Sequence, residues 1–359
     1  MQKTSRGREL STVMFLNFVE RAMTPVPKDR RVPCTRRFSS RKTATSRSGR
    51  WQLPPIAAVP GGDIILVSLA ALLWSTVGIA NGLMSDLAGV DAALCALART
   101  ALGGISLLLI AKLLSIPWQG TQLPWQSLGI FAVASAVFQI CLFAAFAKVG
   151  VTVTVAVTVC GSVVLVAAGG ALWNRIMPEL TASIAIVAAI IGVVLTLFGE
   201  GGDIGVLASI TQTGALSLLS ATVMFAVVCA AAGVLARDLH PLHAAGLGLT
   251  ATAGLLLLSF LVQGRGLGSL TLLASLDLAI LVYTGVVGTG LAYLAFVSGF
   301  HRSRSAAVGI APTLIEPCTA ALLAALILHE RLAPMEAAGC VLMTAAMVPL
   351  YLCSRQVSS

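Results

Sequence analysis

Apolar residues fall into ten long stretches along the chain, separated by short segments that hold most of the charge, glycine and proline. Each stretch is close to the roughly 20 residues that an α-helix needs to cross the bilayer core of about 30 Å. We therefore predict ten transmembrane helices, with bounds good to about two to four residues, near 62–84, 91–114, 125–147, 150–173, 181–199, 211–235, 241–263, 275–299, 305–328 and 334–353.

Weak internal similarity relates the first five stretches to the last five. Residues 155–180 align without gaps on 311–336 with four identities, and Phe143, Ala145 and Phe146 match Tyr293, Ala295 and Phe296. An odd number of spans in each copy inverts the second copy, which is a common transporter plan with the substrate site at the repeat interface. The predicted fold is an all-α integral membrane protein of two inverted five-helix repeats, residues 61–203 and 204–355.

Composition supports the membrane class and locates the net charge. The chain is 57% hydrophobic and 10% charged, too little charge for a soluble surface. Of its 23 basic residues, 13 lie in residues 1–50, so the net charge of +9 belongs to this tail. Residues 1–60 are predicted to be a disordered, basic cytoplasmic tail. An organelle transit peptide, or a start assigned too far upstream of Met14 or Met23, stays open.

The distribution of basic residues predicts the orientation of the helices. With the tail inside and ten crossings, more basic residues fall in inside segments than in outside ones. The inside segments hold Lys112, Arg175, Arg237, Arg302, Arg304 and Arg355, and the outside segments hold Lys148, Arg265 and Arg331. Both termini are therefore predicted to be cytoplasmic, in a multi-pass protein of the cell membrane.

The apolar stretch at 305–331 carries Glu316 and Pro317 at its centre, with Pro312 one turn earlier. A carboxyl group at mid-membrane is costly and usually faces a bundle interior or an aqueous path. Proline frees a backbone carbonyl and bends the helix. Two interpretations stay open for Glu316: a group that binds substrate or a coupling proton, or a neutral acid that donates a hydrogen bond to the carbonyl freed by Pro317.

Arg99 is a second charged residue inside an apolar stretch, about 12 Å from the start of its predicted helix. It is either an anchor for an anion in the cavity or a structural partner of Glu316, Asp86 or backbone carbonyls. Polar and aromatic residues that either line a cavity or serve helix packing are Trp74, Ser75, Thr76, Gln139, Thr289 and Tyr293.

The motifs resemble the EamA-type branch of the drug/metabolite transporter superfamily over about residues 62–353. Its halves end in a span with a proline and a terminal acid, like the segment from Pro317 to Glu330. The segment 288–296 resembles its penultimate span, and Trp74 and Arg99 fall where the family often has Trp and Arg. In the first half, Gly161 and Asn174 stand at the proline and glutamate positions, so that half departs from the pattern.

The resemblance implies ten helices and movement of a solute across the cytoplasmic membrane. The predicted function is a secondary transporter, an exporter or exchanger of a small polar metabolite, amino-acid-like compound or drug, with a proton as a candidate coupling ion. A membrane enzyme and a non-transporting sensor or scaffold are the alternatives. Neither catalytic residues nor cofactor are expected. His240 and His243 lack a third ligand, and the eight cysteines lack a CxxC motif, so no metal is expected.

The expected partners are the lipid bilayer, a small-molecule substrate and a proton, with a second copy of the chain as a candidate and no nucleic acid. No phosphate-binding motif of the form GxxxxGK[ST] occurs in the sequence. Direct use of ATP is therefore not expected.

Overall fold

The computed structural model describes residues 17–23, 62–88, 92–118, 123–149, 151–175, 180–199, 211–264, 275–303, 310–327 and 334–356. These residues are helical apart from short turns, and none of them forms a strand. The predicted all-α class is confirmed. The long helices are α1 (Gly62–Ala88), α2 (Ala92–Leu113), α3 (Trp125–Val149), α4 (Val151–Asn174), α5 (Leu180–Gly199), α6 (Gln212–Asp238), α7 (Pro241–Val262), α8, α9 and α10 (Pro334–Gln356).

Two of these helices are irregular. Helix α8 runs from Ser275–Gly285 through a π-helical segment, Val286–Leu291, to Ala292–Arg302. Helix α9 begins with a 3₁₀ turn, Ala311–Leu314, and continues as Ile315–Ile327. The sequence predicts the second irregularity because Pro312 and Pro317 cannot supply backbone donors.

Within the described residues, seven helices are long and apolar enough to cross a membrane. They span Gly62–Ala80, Ala93–Leu113, Trp125–Val149, Val153–Asn174, Gln212–Asp238, Pro241–Val262 and Leu276–Arg302. Three further helices are apolar but shorter, at Ser183–Leu195, Ala311–Ile327 and Ala337–Ala346. The chain is therefore a multi-pass membrane protein.

The helices of the first and second halves of the chain pack extensively against each other. Helix α3 packs on α6, α2 on α7, and α5 on α10. Helix α1 packs on both α8 and α9, while α4 packs on α6. The largest buried cluster runs through the bundle, and it holds Phe131 of α3, Phe225 of α6 and Phe296 of α8. Side chains from both halves of the chain therefore come together in this cluster.

Glycine lets α2 approach the π-helical segment of α8 at backbone distance. A Cβ atom at Gly103 would lie 2.9 Å from the Gly285 carbonyl oxygen and 3.0 Å from the Gly290 nitrogen. Backbone atoms cannot yield as a side chain can, so this position needs glycine. In contrast, a Cβ atom at Gly129 of α3 would meet nothing within 4 Å.

Gly103→Ala is therefore expected to destabilise the protein by about 1–3 kcal/mol, because the added methyl group overpacks the contact between α2 and α8. Gly129→Ala is the matched control and should be neutral or raise stability by about 0.5–1 kcal/mol through helix propensity. Thermal unfolding in detergent compares the two variants. Equal midpoints would contradict the close approach of α2 to α8.

One segment of the N-terminal tail is described by the structure. Residues 17–23 form a short helix that packs on the bundle, so the tail is not disordered throughout. Phe18 and Ala22, spaced one helical turn apart, are 5% and 3% exposed. The Arg/Ser-rich composition of the tail as a whole predicts disorder and does not indicate this short apolar turn. The rest of the predicted disordered tail lies outside the described residues.

Three histidines lie at one end of the bundle, where α6 ends and α7 begins. His240 caps α7, since its Nδ1 accepts a hydrogen bond from the Leu242 N–H at 3.3 Å, and Pro241 occupies the first helical position. Burial, followed by the proximity of His243 and His301, lowers the pKa of His240 below its ordinary 6.5. The nearby His301 Nδ1 contacts the Ala236 carbonyl oxygen.

Because the folded state disfavours protonated His240, the unfolded state takes up the proton more readily as the pH falls below about 6.5. Stability is therefore unaffected by this group above that pH and decreases below it. His240→Asn keeps a side-chain cap acceptor and should reduce the loss of thermal stability between pH 7.5 and 5.5. An unchanged pH dependence of the unfolding midpoint in the variant would contradict this assignment.

Candidate functional site

An aromatic cluster fills the centre of the bundle between α1, α3, α6 and α8. The Trp74 ring lies 5.3 Å from that of Tyr293, 5.1 Å from Phe296 and 6.0 Å from Phe225, measured between ring centroids. Tyr293 also makes an edge contact with Phe131 at 6.1 Å. Such tilted and edge-to-face arrangements are the favoured geometries of aromatic pairs. Trp74 and Tyr293, predicted from the sequence as cavity residues, are thus in direct contact.

The π-helical segment of α8 ends one residue before Ala292 and sets the direction of Tyr293. Its wider turn shifts the helix register, a feature often found at functional sites. Thr289 lies inside the segment, and its hydroxyl donates to the Thr284 carbonyl five residues earlier at 2.8 Å. A Cβ atom at Gly103 would lie 3.2 Å from the Thr289 methyl group. Thr289 therefore serves the irregular helix and its packing against α2.

Arg99 of α2 reaches across to α3. Its Nη2 donates to Gln139 Oε1 at 2.6 Å, and Gln139 Nε2 donates to Thr100 Oγ1 at 3.3 Å. The guanidinium carbon lies 5.5 Å from the centroid of the Phe143 ring. Gln139 and Phe143 are four residues apart, so both lie on the face of α3 that meets α2. Gln139 and Phe143 orient the guanidinium without neutralising its charge.

The Arg99 guanidinium keeps both its charge and a donor available. Arg99 Nε is enclosed and donates to no atom of the residues that the structure describes. Arg99 forms no ion pair with any carboxylate whose position is described, including Glu316. A buried cation normally needs a partner, so this group lies ready to bind an acceptor with negative charge. The side chain of Asp86, another partner considered from the sequence, is outside the described part.

Glu316 begins the α-helical part of α9, directly after the 3₁₀ turn. The side chain is half-buried, and its Oε2 is enclosed and has no hydrogen-bond partner within the described ranges. Among the described residues, no hydrogen bond joins this oxygen to the carbonyl that Pro317 frees. Tyr293 is close enough to interact electrostatically with both Arg99 and Glu316.

Four of the seven residues predicted for the site form two contacting pairs. Arg99 contacts Gln139, Trp74 contacts Tyr293, and Tyr293 lies within electrostatic range of Arg99 and Glu316. Pro317 shapes the helix, and Thr289 lies in the contact with α2. Phe143 was not predicted as a site residue, although its spacing of four from Gln139 places both on one face of α3.

Ser75 and Thr76 of α1 bond to their own helix. Ser75 Oγ donates to the Leu72 carbonyl and Thr76 Oγ1 to the Leu73 carbonyl, each at 2.7 Å. Thr76 Oγ1 also lies 2.9 Å from the Tyr283 hydroxyl of α8. These two side chains stabilise α1 and its contact with α8, and neither joins the aromatic cluster.

The bundle holds a cation, Arg99, and a carboxyl group, Glu316, that are both half-buried, together with an aromatic cluster. Both groups carry an unused hydrogen-bonding atom, and they come from different halves of the chain. Pockets that bind small molecules commonly combine aromatic walls with a few polar groups that orient the ligand. The cluster therefore has the chemistry of a site for a small polar molecule with an anionic or acceptor group.

Comparison with solved structures gives a similar fold. One of the 25 matching chains, a crystal structure of a protein, has 16% sequence identity and a TM-score of 0.63. The alignment covers 84% of this chain and the whole of that chain. At this identity the match shows a shared fold alone. No curated protein matches the sequence.

A family model matches most of the second half of the chain. The model of the EamA-like transporter family matches residues 212–352, which run from the start of α6 into α10 and contain Tyr293 and Glu316. The match confirms the resemblance noted in the segments 288–296 and 317–330. Residues 212–352 are therefore similar to the EamA-like transporter family, a family of the drug/metabolite transporter superfamily.

Proposed function

We propose that this protein is a secondary transporter that binds a small polar solute at the cluster of Arg99, Tyr293 and Glu316. The observation that carries the proposal is the enclosed Arg99 guanidinium, which has charge and a free N–H but no acidic partner in the described residues. Such an arrangement suits a solute with a carboxylate or another anionic group. The family that residues 212–352 resemble is a transporter family, and this supports the same conclusion.

We propose ten crossings arranged as two inverted repeats, with the shorter helices α5, α9 and α10 also spanning the membrane. Helix pairs offset by five in number support this arrangement. The contact of α3 with α6 has its counterpart in α8 with α1, and that of α4 with α6 in α9 with α1. The pairs α2 with α7 and α5 with α10 are their own counterparts. This pattern is expected from a pseudo-two-fold axis in the membrane plane.

Transport in this proposal uses the interface between the repeats, residues 61–203 and 204–355. The substrate lies between Arg99 of the first repeat and Glu316 of the second, where rocking of one repeat against the other exposes the site to each side in turn. Glu316 exchanges a proton with the side to which it is exposed. Burial disfavours the ionised carboxyl group, so proton loss is linked to exposure of the site.

We assign both termini to the cytoplasm and the protein to the cell membrane, on the distribution of basic residues. The direction of movement is export or exchange of a small metabolite, amino-acid-like compound or drug. Among the residues that the structure describes, no three His, Cys, Asp or Glu side chains are grouped to hold a metal ion. Nothing in the geometry favours an enzyme or a scaffold over a transporter.

A resistance and uptake screen tests the proposal. Cells that express the protein are challenged with a panel of small acids, amino acids and cationic drugs at pH 6 and pH 8, and Arg99→Gln is the control. The expected result is resistance or efflux for one class of solute that carries an anionic group, lost in the control. Resistance confined to purely cationic drugs would contradict an anion-binding role of Arg99.

A further inference from the structure

The short N-terminal helix at residues 17–23 is amphipathic and docked on the bundle. Phe18 and Ala22 are buried on one face, and Val19 and Met23 are half-buried beside them. Asn17, Glu20 and Arg21 are exposed on the other face. Phe18, Ala22 and Val19 join the main buried cluster of the bundle. The apolar face is small, so this docking needs further contacts to hold it.

Polar contacts tie this helix to the end of α6. Arg21 Nη2 lies 2.6 Å from Asp238 Oδ1, and Arg237 Nη1 donates to the Arg21 carbonyl at 2.6 Å. The last carbonyls of a helix lack intrahelical partners and carry partial negative charge. Arg237 therefore caps the N-terminal helix while Arg21 pairs with the neighbouring Asp238.

The same helix is tied to the end of α4. Asn174 Nδ2 donates to the Met23 carbonyl at 2.9 Å and to its own helix at Gly170 O, at 2.7 Å. Gly169 leaves room for the Met23 side chain, since a Cβ atom there would lie 3.2 Å from Met23 Cε. One short helix thus contacts the last turns of α4 and α6, which come from different halves of the chain.

We propose that residues 17–23 form a clasp that holds the ends of α4 and α6 together and must release before that end of the bundle opens. The inference rests on the proposed function in one respect, because separation of the two ends matters only if the halves move against each other. Each contact is individually modest, as the Arg21 and Asp238 side chains are 50% and 26% exposed. Exposed ion pairs contribute little each, which makes the clasp reversible.

Hydrogen–deuterium exchange on the full chain in lipid nanodiscs tests the clasp without any substrate. Arg21→Glu breaks the ion pair with Asp238 of α6 and leaves Asn174 of α4 unchanged. If the clasp acts as a unit, amide exchange becomes about threefold faster at the ends of both α4 and α6, the loss expected for an exposed ion pair. Peptides at the opposite end of α6, near Thr211, should be unaffected.

Two further variants control the experiment. Combining Arg21→Glu with Asp238→Arg reverses the ion pair and should restore slow exchange at both helix ends. Asn17→Glu adds negative charge to the exposed face of the same helix without touching Asp238 and should have no effect. Faster exchange confined to α6, or none at either end, overturns the clasp and leaves the transport proposal intact. If the exchange pattern is as expected but the protein transports no solute, the clasp is supported and the transport proposal fails.

Discussion

Arg99→Gln should abolish high-affinity transport while leaving the protein at least as stable. Removing one member of a buried charge pair costs about 2–5 kcal/mol, so the transport efficiency, kcat/KM, should fall at least about 30-fold. Stability should hold because the variant removes an enclosed cation that has no ion-pair partner in the described residues, and such a charge is itself costly to bury.

Arg99→Lys is the matched variant, because it keeps the charge and loses the planar fork of donors. An intermediate loss of kcat/KM is expected, since lysine cannot make the bidentate contact that arginine offers a carboxylate. Initial uptake rates give the efficiency, and thermal unfolding of the same samples gives stability. A stability loss in Arg99→Gln equal to its activity loss would show that Arg99 is structural instead.

Glu316→Gln should uncouple transport from the proton gradient. The amide keeps the shape of the carboxyl group but cannot exchange a proton, so the variant should still exchange solute across the membrane at equal pH. With one proton per solute, a pH difference of two units supports about a 100-fold concentration difference. The wild type should approach that accumulation and Glu316→Gln should show none.

Counterflow measurements at symmetric pH provide the control for Glu316. Exchange of labelled for unlabelled solute should persist in Glu316→Gln, because the amide keeps the shape of the carboxyl group and Arg99 is unchanged. Accumulation in the variant that still responds to the pH gradient would contradict a coupling role for Glu316. Loss of exchange as well as accumulation would assign Glu316 to solute binding.

The membrane class and the approximate helix positions could be predicted because apolar length is a direct consequence of bilayer thickness. The irregular start of α9 was also predictable, because Pro312 and Pro317 cannot donate backbone hydrogen bonds. The π-helical segment Val286–Leu291 was not predictable, because it depends on backbone contact between Gly103 of α2 and Gly290 of α8. Such contacts arise only when distant helices meet.

The candidate site was predictable by residue type and less so by arrangement. A charge such as Arg99 or Glu316 in an apolar helix is conspicuous. Thr289 was equally conspicuous, yet its hydroxyl bonds to the Thr284 carbonyl within its own helix. Phe143 had no polar atom to mark it and became part of the site through the Arg99 guanidinium. When a helix is apolar on all sides, its sequence does not indicate which face packs toward the centre of the bundle.

The two halves of the chain differ at the positions that the sequence alignment matches to Glu316 and Pro317. There the first half has Cys160 and Gly161. Cys160 Sγ lies 3.2 Å from Met343 Sδ, and a Cβ atom at Gly161 would lie 2.6 Å from the Thr222 methyl group. These residues pack α4 against α10 and α6. The proposed coupling acid is therefore found in the second half alone, opposite Arg99 of the first.

The most direct test of transport is solute uptake by the purified protein in proteoliposomes under an imposed pH gradient. The solute is the one identified by the resistance screen, and empty liposomes and Arg99→Gln are measured in parallel. The expected result is saturable accumulation that collapses with the pH gradient and is absent from both controls. Accumulation that is equal in wild type and Arg99→Gln, or no saturable uptake by the wild type, would contradict it.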